Sequence, residues 1–150
     1  MRLAFSKSVF GPWSTETILG NATIHRETNP SPLVFENGTV LLAVCRRWAK
    51  AGSPENEYKD VWMLRAPTFR GPYEYITKAN IRGLVMGEDP GLFRTKRGFH
   101  LLMHSGGPVI GGHFYSRDGL QWTGDGQRGY NGTVPVMGGG VHQVCERQRP

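Results

Sequence analysis

The chain lacks several features that define common protein classes. Its two cysteines, Cys45 and Cys145, cannot form a disulfide framework and have no C-x-x-C spacing for zinc. No stretch approaches the roughly 20 apolar residues of a membrane span, and residues 1–10 lack the apolar segment of a signal peptide. We therefore expect no membrane contact. Three N-x-T sequons, at Asn21, Asn37 and Asn131, favour secretion only weakly, because Asn-Gly also forms turns.

Acidic residues are also scarce. The chain has 12 Asp and Glu against 18 Lys and Arg, for a net charge of +6. The basic residues are scattered, and even Arg46-Arg47 and Lys96-Arg97 form no stripe of the kind that binds nucleic acid. We expect a solvated surface and no nucleic-acid partner, and a basic interaction module remains an alternative that rests on net charge alone.

Helical periodicity with capping residues is missing as well. The chain has 21 Gly and 10 Pro, which break helices and supply the backbone angles of tight turns. At 150 residues it has room for one core and one domain. The composition predicts an all-β protein.

A repeat organises these turns and apolar runs. Asn29-Pro30 is followed by an apolar run, a Gly38 turn and a second apolar run; sixty residues later Asp89-Pro90 opens the same pattern around Gly98. Each unit continues into two shorter strands, which makes four antiparallel strands, the content of one propeller blade. We place the units at about 25–80 and 85–125, with the start of a third at 141–150.

The remaining segments match the units less well. Residues 1–24 resemble neither unit, and the charged stretch from Arg46 to Lys59 reads as an exposed loop. A β-sandwich is the alternative fold, but it does not require an X-Pro opening repeated at fixed register. The prediction is an incomplete β-propeller of about two to three blades, in a chain too short for a whole one.

Two linked motifs resemble glycoside hydrolase family 43 and the related five-bladed furanosidases. The first is Gly87-Glu88-Asp89-Pro90-Gly91-Leu92-Phe93 with the strand 98–104 after it. The second is the Ser-x-Asp-Gly-x-x-Trp pattern that ends at Trp122. The resemblance covers about residues 28–150. It implies a glycosidase in which Asp89 is the carboxylate that orients and tunes the general acid.

The base and acid positions depart from that family pattern. Asn29 stands where the family has its basic Asp, and an amide cannot take a proton from water at neutral pH. Glu27, two residues earlier, is a fallback base that would share the face of Asn29 on a strand. Gln148 stands where the family has its acid, and Glu146 is the nearby substitute. The predicted catalytic residues are thus Asp89, Glu146 and Glu27.

The resemblance and the local chemistry also suggest substrate contacts. We assign Asn29, Glu88, His104 and His113 to substrate binding; His113 follows two glycines that leave room for a ligand. Trp48 is a candidate sugar platform. His100 and His104 are too far apart along a strand to share an ion, so we expect neither a metal nor a cofactor.

The leading functional hypothesis is hydrolysis of O-glycosidic bonds in plant or microbial polysaccharides, or descent from enzymes that do this. The alternative is a non-catalytic propeller that still binds carbohydrate. In both cases the partner is a glycan. The unpaired edge of an open blade would also invite self-association.

Overall fold

The computed structural model describes residues 1–17, 25–50, 53–78, 87–105, 111–130 and 132–143. These ranges contain no helix and form several small antiparallel sheets, which confirms the all-β prediction. The strands are β1 Arg2–Phe5, β2 Ser14–Thr17, β3 His25–Val34, β4 Val40–Lys50, β5 Ser53–Ala66, β6 Glu74–Lys78, β7 Gly87–Thr95, β8 Gly98–Ser105, β9 Gly111–Ser116, β10 Thr123–Tyr130, β11 Thr133–Pro135 and β12 Val141–Gln143.

The first large sheet is a four-stranded meander in the order β3-β4-β5-β6. A tight turn after Phe35 joins β3 to β4. The Gly38 N–H donates to the Phe35 carbonyl at 2.9 Å, and Gly38 has φ 85°, an angle that glycine adopts without strain. The Asn37 side chain accepts from the Thr39 N–H at 3.1 Å. The expected strand, turn and strand therefore form around Gly38.

The expected loop from Arg46 to Lys59 is wrong. β4 and β5 continue through most of this stretch as a long hairpin, in which Arg46 pairs with Asp60 and Arg47 with Lys59. A strand rich in charged residues has the composition of a loop. Backbone pairing between strands cannot be recognised from composition.

The second large sheet has the same topology, with β7, β8, β9 and β10 hydrogen-bonded in consecutive order. Its β9–β10 turn is stabilised by the serine, aspartate and tryptophan side chains of the Ser-x-Asp-Gly-x-x-Trp pattern, and the Gly119 N–H donates to Ser116 Oγ at 2.8 Å. Asp118 Oδ1 accepts from the N–H groups of Leu120 and Gln121, and Trp122 Nε1 donates to the Gly119 carbonyl at 3.1 Å. The pattern thus folds into a compact turn with a buried indole.

The core lies between the two large sheets, which pack face to face. Met63 of β5 and Leu101 and Met103 of β8 are fully buried there. The other face of the first sheet is also apolar, because β4 begins with an uninterrupted apolar run whose alternate residues point in opposite directions. The inter-sheet core contains Leu41, Ala43, Val61, Met63, Leu92, Phe99, Leu101, Met103, Phe114 and Trp122.

The β1–β2 hairpin lies beside that second apolar face and repeats the β5–β6 hairpin. Met1 packs against the buried residues there, and Arg70 pairs with Glu16. Gly11 and Gly71 have φ of 89° and 91°, and each donates its N–H to the residue three positions earlier. The interpretation that the N-terminal segment matches neither unit is therefore wrong for residues 1–17.

The β11–β12 hairpin instead repeats the β3–β4 turn. The Val136 N–H donates to the Gly140 carbonyl and Gly139 N–H to the Val136 carbonyl, as Phe35 and Gly38 do in the first sheet. Strand β11 precedes Val141, where we expected the third unit to start. Residues 144–150 lie outside the described part of the chain.

Candidate functional site

The candidate site lies where β3 and β7, the first strands of the two large sheets, adjoin. The Leu92 N–H of β7 donates to Ser31 Oγ of β3 at 2.8 Å. Each strand has a bulge at its X-Pro pair, where the pairing register shifts between Thr28 and Ser31 and between Glu88 and Gly91. A bulge bends a strand and redirects the side chain at that point.

The bulges bring Asn29 and Asp89 into contact. A proline normally favours an extended conformation in the residue before it, but Asn29 has φ 52° and Asp89 φ 51°. Asn and Asp tolerate this left-handed region better than other residues with a side chain. The Asn29 side-chain N–H donates to Asp89 Oδ1. Two residues in equivalent repeat positions therefore form one polar pair.

His104 and Tyr130 extend this pair. His104 Nε2 lies 3.8 Å from Asp89 Oδ2, and Tyr130 Oη lies 2.8 Å from His104 Nδ1. In the tautomer with its proton on Nε2, Nδ1 accepts from the Tyr130 hydroxyl and the Nε2 proton faces the Asp89 carboxylate. Burial, and then the charge of Asp89, raise the pKa of Tyr130, so its hydroxyl stays protonated at neutral pH.

The side chains of Asp89 and His104 remain partly accessible, with 13% and 15% of their surfaces exposed. We refer to Asn29, Asp89, His104 and Tyr130 as the inner polar site. It contains an amide hydrogen-bonded to a carboxylate, and an imidazole that lies 3.8 Å from that carboxylate and is hydrogen-bonded to a phenol. Such a set can bind a polyhydroxylated ligand through donors and acceptors together.

Glu27 is not brought to the inner polar site. Its carboxylate accepts from the Tyr75 hydroxyl at 2.5 Å and lies 3.9 Å from Arg46 Nε. The Arg46 guanidinium covers the Trp62 ring at 4.8 Å. Burial, followed by the hydrogen bond and charge of Glu27, raises the pKa of Tyr75 to about 12. The bulge at Asn29 interrupts the alternation that would have placed Glu27 and Asn29 on one face.

His113 forms a second pair, with His100. His113 Nε2 lies 3.0 Å from His100 Nδ1, and the rings stack with centroids 5.2 Å apart. Burial, the neighbouring His113 and Arg97 lower the pKa of His100, so it is uncharged at neutral pH. His104 lies on the same face of the sheet, since Leu102 pairs with His113 and neighbours alternate.

The structure describes the remaining predicted site residues, Glu88, Trp48 and Glu146, only in part. Glu88 is half-buried and pairs directly with His104 in the β7–β8 ladder. The backbone of Trp48 pairs with Tyr58, but its side chain and all of Glu146 lie outside the described part of the chain. Tyr130 was missed, because its approach to His104 depends on irregular pairing at the end of β10 that no motif marks.

Neither a metal-binding cluster nor a membrane-spanning helix is present in the described ranges. There is no group of three or more His, Cys, Asp or Glu side chains that could hold a metal ion. There is also no helix long and apolar enough to cross a membrane. Comparison of the whole chain with known protein families and with curated proteins gives no match.

Proposed function

We propose that the chain forms consecutive blades of a five-bladed β-propeller of the glycoside hydrolase family 43 type and that its inner polar site binds a glycan without cleaving it. Three observations support the propeller. The two large sheets are four-stranded meanders, they pack face to face, and their first strands adjoin. The β1–β2 and β11–β12 hairpins, whose turns repeat those of β5–β6 and β3–β4, would belong to neighbouring blades.

The contact between Asn29 and Asp89 carries the functional proposal. First strands of blades surround the central channel, so this pair would lie at the channel where a propeller binds its ligand. Inverting glycosidases need two carboxyl groups about 6.5–9.5 Å apart, one as acid and one as base. Here the position of the family's base is Asn29, an amide that donates to Asp89 and cannot take a proton from water. Asp89 corresponds to the carboxylate that tunes the acid, so the pair offers hydrogen-bonding groups for sugar hydroxyls but lacks the family's base.

Each member of the site would have a distinct role. Asp89 has a second carboxylate oxygen facing His104, and its charge makes it a strong acceptor for sugar hydroxyls. His104 and Tyr130 would supply further hydrogen bonds, and the glycan is expected to compete for their mutual contact. Asn29 fixes the orientation of Asp89 by donating to its other oxygen.

Hydrolysis is the alternative within the same fold. It requires a base other than Asn29, and Glu27 is engaged by the Tyr75 hydroxyl and faces Arg46. It also requires a general acid, for which the sequence offers Glu146. General acid and base groups each contribute about a hundred- to ten-thousand-fold in rate, so loss of both leaves little activity.

The test measures binding and turnover together. Wild type, Asp89→Asn and Glu74→Gln are titrated calorimetrically with arabinan and galactan oligosaccharides, and sugar release is followed on nitrophenyl furanosides. Glu74 is a matched control because it is an exposed carboxylate in a surface ion pair. Loss of a charged acceptor should weaken binding about tenfold in Asp89→Asn and leave Glu74→Gln unchanged, with no turnover above background.

Two results would contradict the proposal. Turnover that disappears in Asp89→Asn would show that another residue supplies the missing chemistry and that the protein is a hydrolase. Equal binding by wild type and Asp89→Asn would show that the inner polar site is not where a glycan binds.

A further inference from the structure

A second candidate site surrounds the turn between β7 and β8. A cavity of about 570 Å³ is lined there by Arg94, Lys96, Arg97 and Arg117, and we call it the cationic pocket. β7 begins at Gly87 beside the inner polar site and ends at Thr95 in this turn. The cationic pocket therefore lies at the opposite end of the strand from Asp89.

Contacts with the sheet hold the turn and one of its cations in place. The Tyr115 hydroxyl donates to the Arg97 carbonyl at 2.6 Å, which ties the turn to β9. The Arg97 N–H donates to Thr95 Oγ1 at 3.2 Å. The Arg94 guanidinium lies 5.4 Å from the centre of the Phe99 ring, within the range of a cation–π contact. A positioned guanidinium loses less entropy on binding than a free one.

Among the residues that the structure describes, no carboxylate neutralises the positive charge of the pocket. None of its four cations forms an ion pair with a carboxylate in the described ranges of the chain. The neighbouring carboxylate, Asp118, points into the β9–β10 turn, where it accepts hydrogen bonds from the Leu120 and Gln121 N–H groups. These hydrogen bonds lower the pKa of Asp118, so it stays ionised but directed toward those donors. Four like charges around one concavity favour an anion.

We propose that the cationic pocket binds sulfate groups of an acidic polysaccharide. Arginine and lysine suit this ligand, because guanidinium groups donate two parallel hydrogen bonds to an oxyanion. Nucleic acid fits less well, since base stacking needs accessible rings, whereas of the two aromatic residues that line the pocket Phe99 is buried and Tyr115 is only partly exposed. The choice of a polysaccharide as the ligand rests on the proposed function, whereas the inference of an anion site depends only on the cations that line the pocket.

The experiment compares two double variants with equal loss of charge. Arg97→Gln/Arg117→Gln removes two cations of the pocket, and Arg2→Gln/Lys7→Gln removes two exposed cations of the β1–β2 hairpin. Binding to dextran sulfate, neutral dextran and single-stranded DNA is measured by biolayer interferometry at 50 and 200 mM salt. Circular dichroism and urea denaturation of each variant report whether it folds as wild type does.

We expect dextran sulfate to bind the wild type in a salt-sensitive way and neutral dextran not to bind the pocket. The pocket variant should lose about tenfold in affinity for dextran sulfate and the hairpin variant less than twofold. Equal losses in both variants would reduce the effect to net charge and overturn the proposal. Absence of dextran sulfate binding, or equally tight DNA binding that depends on the pocket, would overturn it as well.

These outcomes separate the pocket from the proposed function. Failure of arabinan and galactan oligosaccharides to bind would refute the glycan role of the inner polar site but would not move the dextran sulfate result. If sulfated dextran fails while those oligosaccharides bind, the cationic pocket alone is refuted.

Discussion

The contact between Asn29 and Asp89 should contribute measurable coupling energy between the two large sheets. A double-mutant cycle isolates it: Asn29→Ala, Asp89→Ala and the variant with both changes. Each alanine also strains a backbone position with φ near 50°. That strain, on the order of 1 kcal/mol at each site, is common to single and double variants and cancels in the cycle.

The expected coupling energy between Asn29 and Asp89 follows from the surroundings of the two side chains. Hydrogen bonds to charged groups contribute about 1.5–3 kcal/mol, and partial exposure reduces this value. The Asp89 side chain is 13% exposed and has His104 as a second neighbour, which keeps part of its stabilisation when Asn29 is removed. We therefore expect a coupling energy of about 1.5 kcal/mol, at the lower end of that range.

Urea denaturation followed by tryptophan fluorescence gives the free energy of unfolding for each variant. The four m-values must agree, so that differences in midpoint reflect stability alone. A coupling energy within about 0.5 kcal/mol of zero would mean that the two positions are independent. The contact between the first strands, on which the inner polar site depends, would then be refuted.

Three further predictions concern stability. Met63→Ala, at a fully buried position between the sheets, should cost about 2–5 kcal/mol in urea denaturation, and a cost below 1 would refute that packing. Burial, and then the hydrogen bond to Glu27, give Tyr75 a folded pKa of about 12 against 10.0 when unfolded, so the stability that depends on its protonated hydroxyl is complete below pH 10 and lost as pH rises toward 12. Wild type should therefore lose more stability than Tyr75→Phe between pH 10 and 12, and equal losses would contradict the raised pKa. Gly98→Ala should destabilise more than Gly138→Ala, because both have positive φ but only the Gly98 Cβ would meet a backbone oxygen, at 2.5 Å; equal melting temperatures would exclude that clash.

The sequence predicted the turns, the strands and the fold class, which depend on the chemistry of neighbouring residues. Gly38 and Gly98 mark the turns of the repeat, the apolar runs beside them form the strands, and the all-β class is confirmed. The N-terminal hairpin was missed, although Val9-Phe10-Gly11-Pro12-Trp13 has a counterpart in Phe69-Arg70-Gly71-Pro72-Tyr73. The repeat units are recognised by their X-Pro openings, and this hairpin contains no such opening.

The site was harder to predict than the strands. The sixty-residue register identified Asn29 and Asp89 as equivalent, but equivalence in a repeat does not imply contact. Their contact requires a bulge with positive φ in each first strand. It also requires the two sheets to pack so that these bulges lie side by side. Glu27 was expected on the face of Asn29 because strict alternation was assumed, and the bulge breaks that alternation. Tyr130 reaches His104 of β8 from the end of β10, across the intervening strand β9, which no local pattern encodes.

The most direct test of the account is to map a bound glycan on the protein by nuclear magnetic resonance. An arabinan oligosaccharide is titrated into ¹⁵N-labelled protein, and amide shifts are followed along β3, β7, β8 and β10. The account predicts saturable shifts that centre on Asn29, Asp89, His104 and Tyr130, in an oligosaccharide that remains intact throughout. Shifts confined to the opposite ends of these strands, or breakdown of the oligosaccharide during the titration, would contradict it.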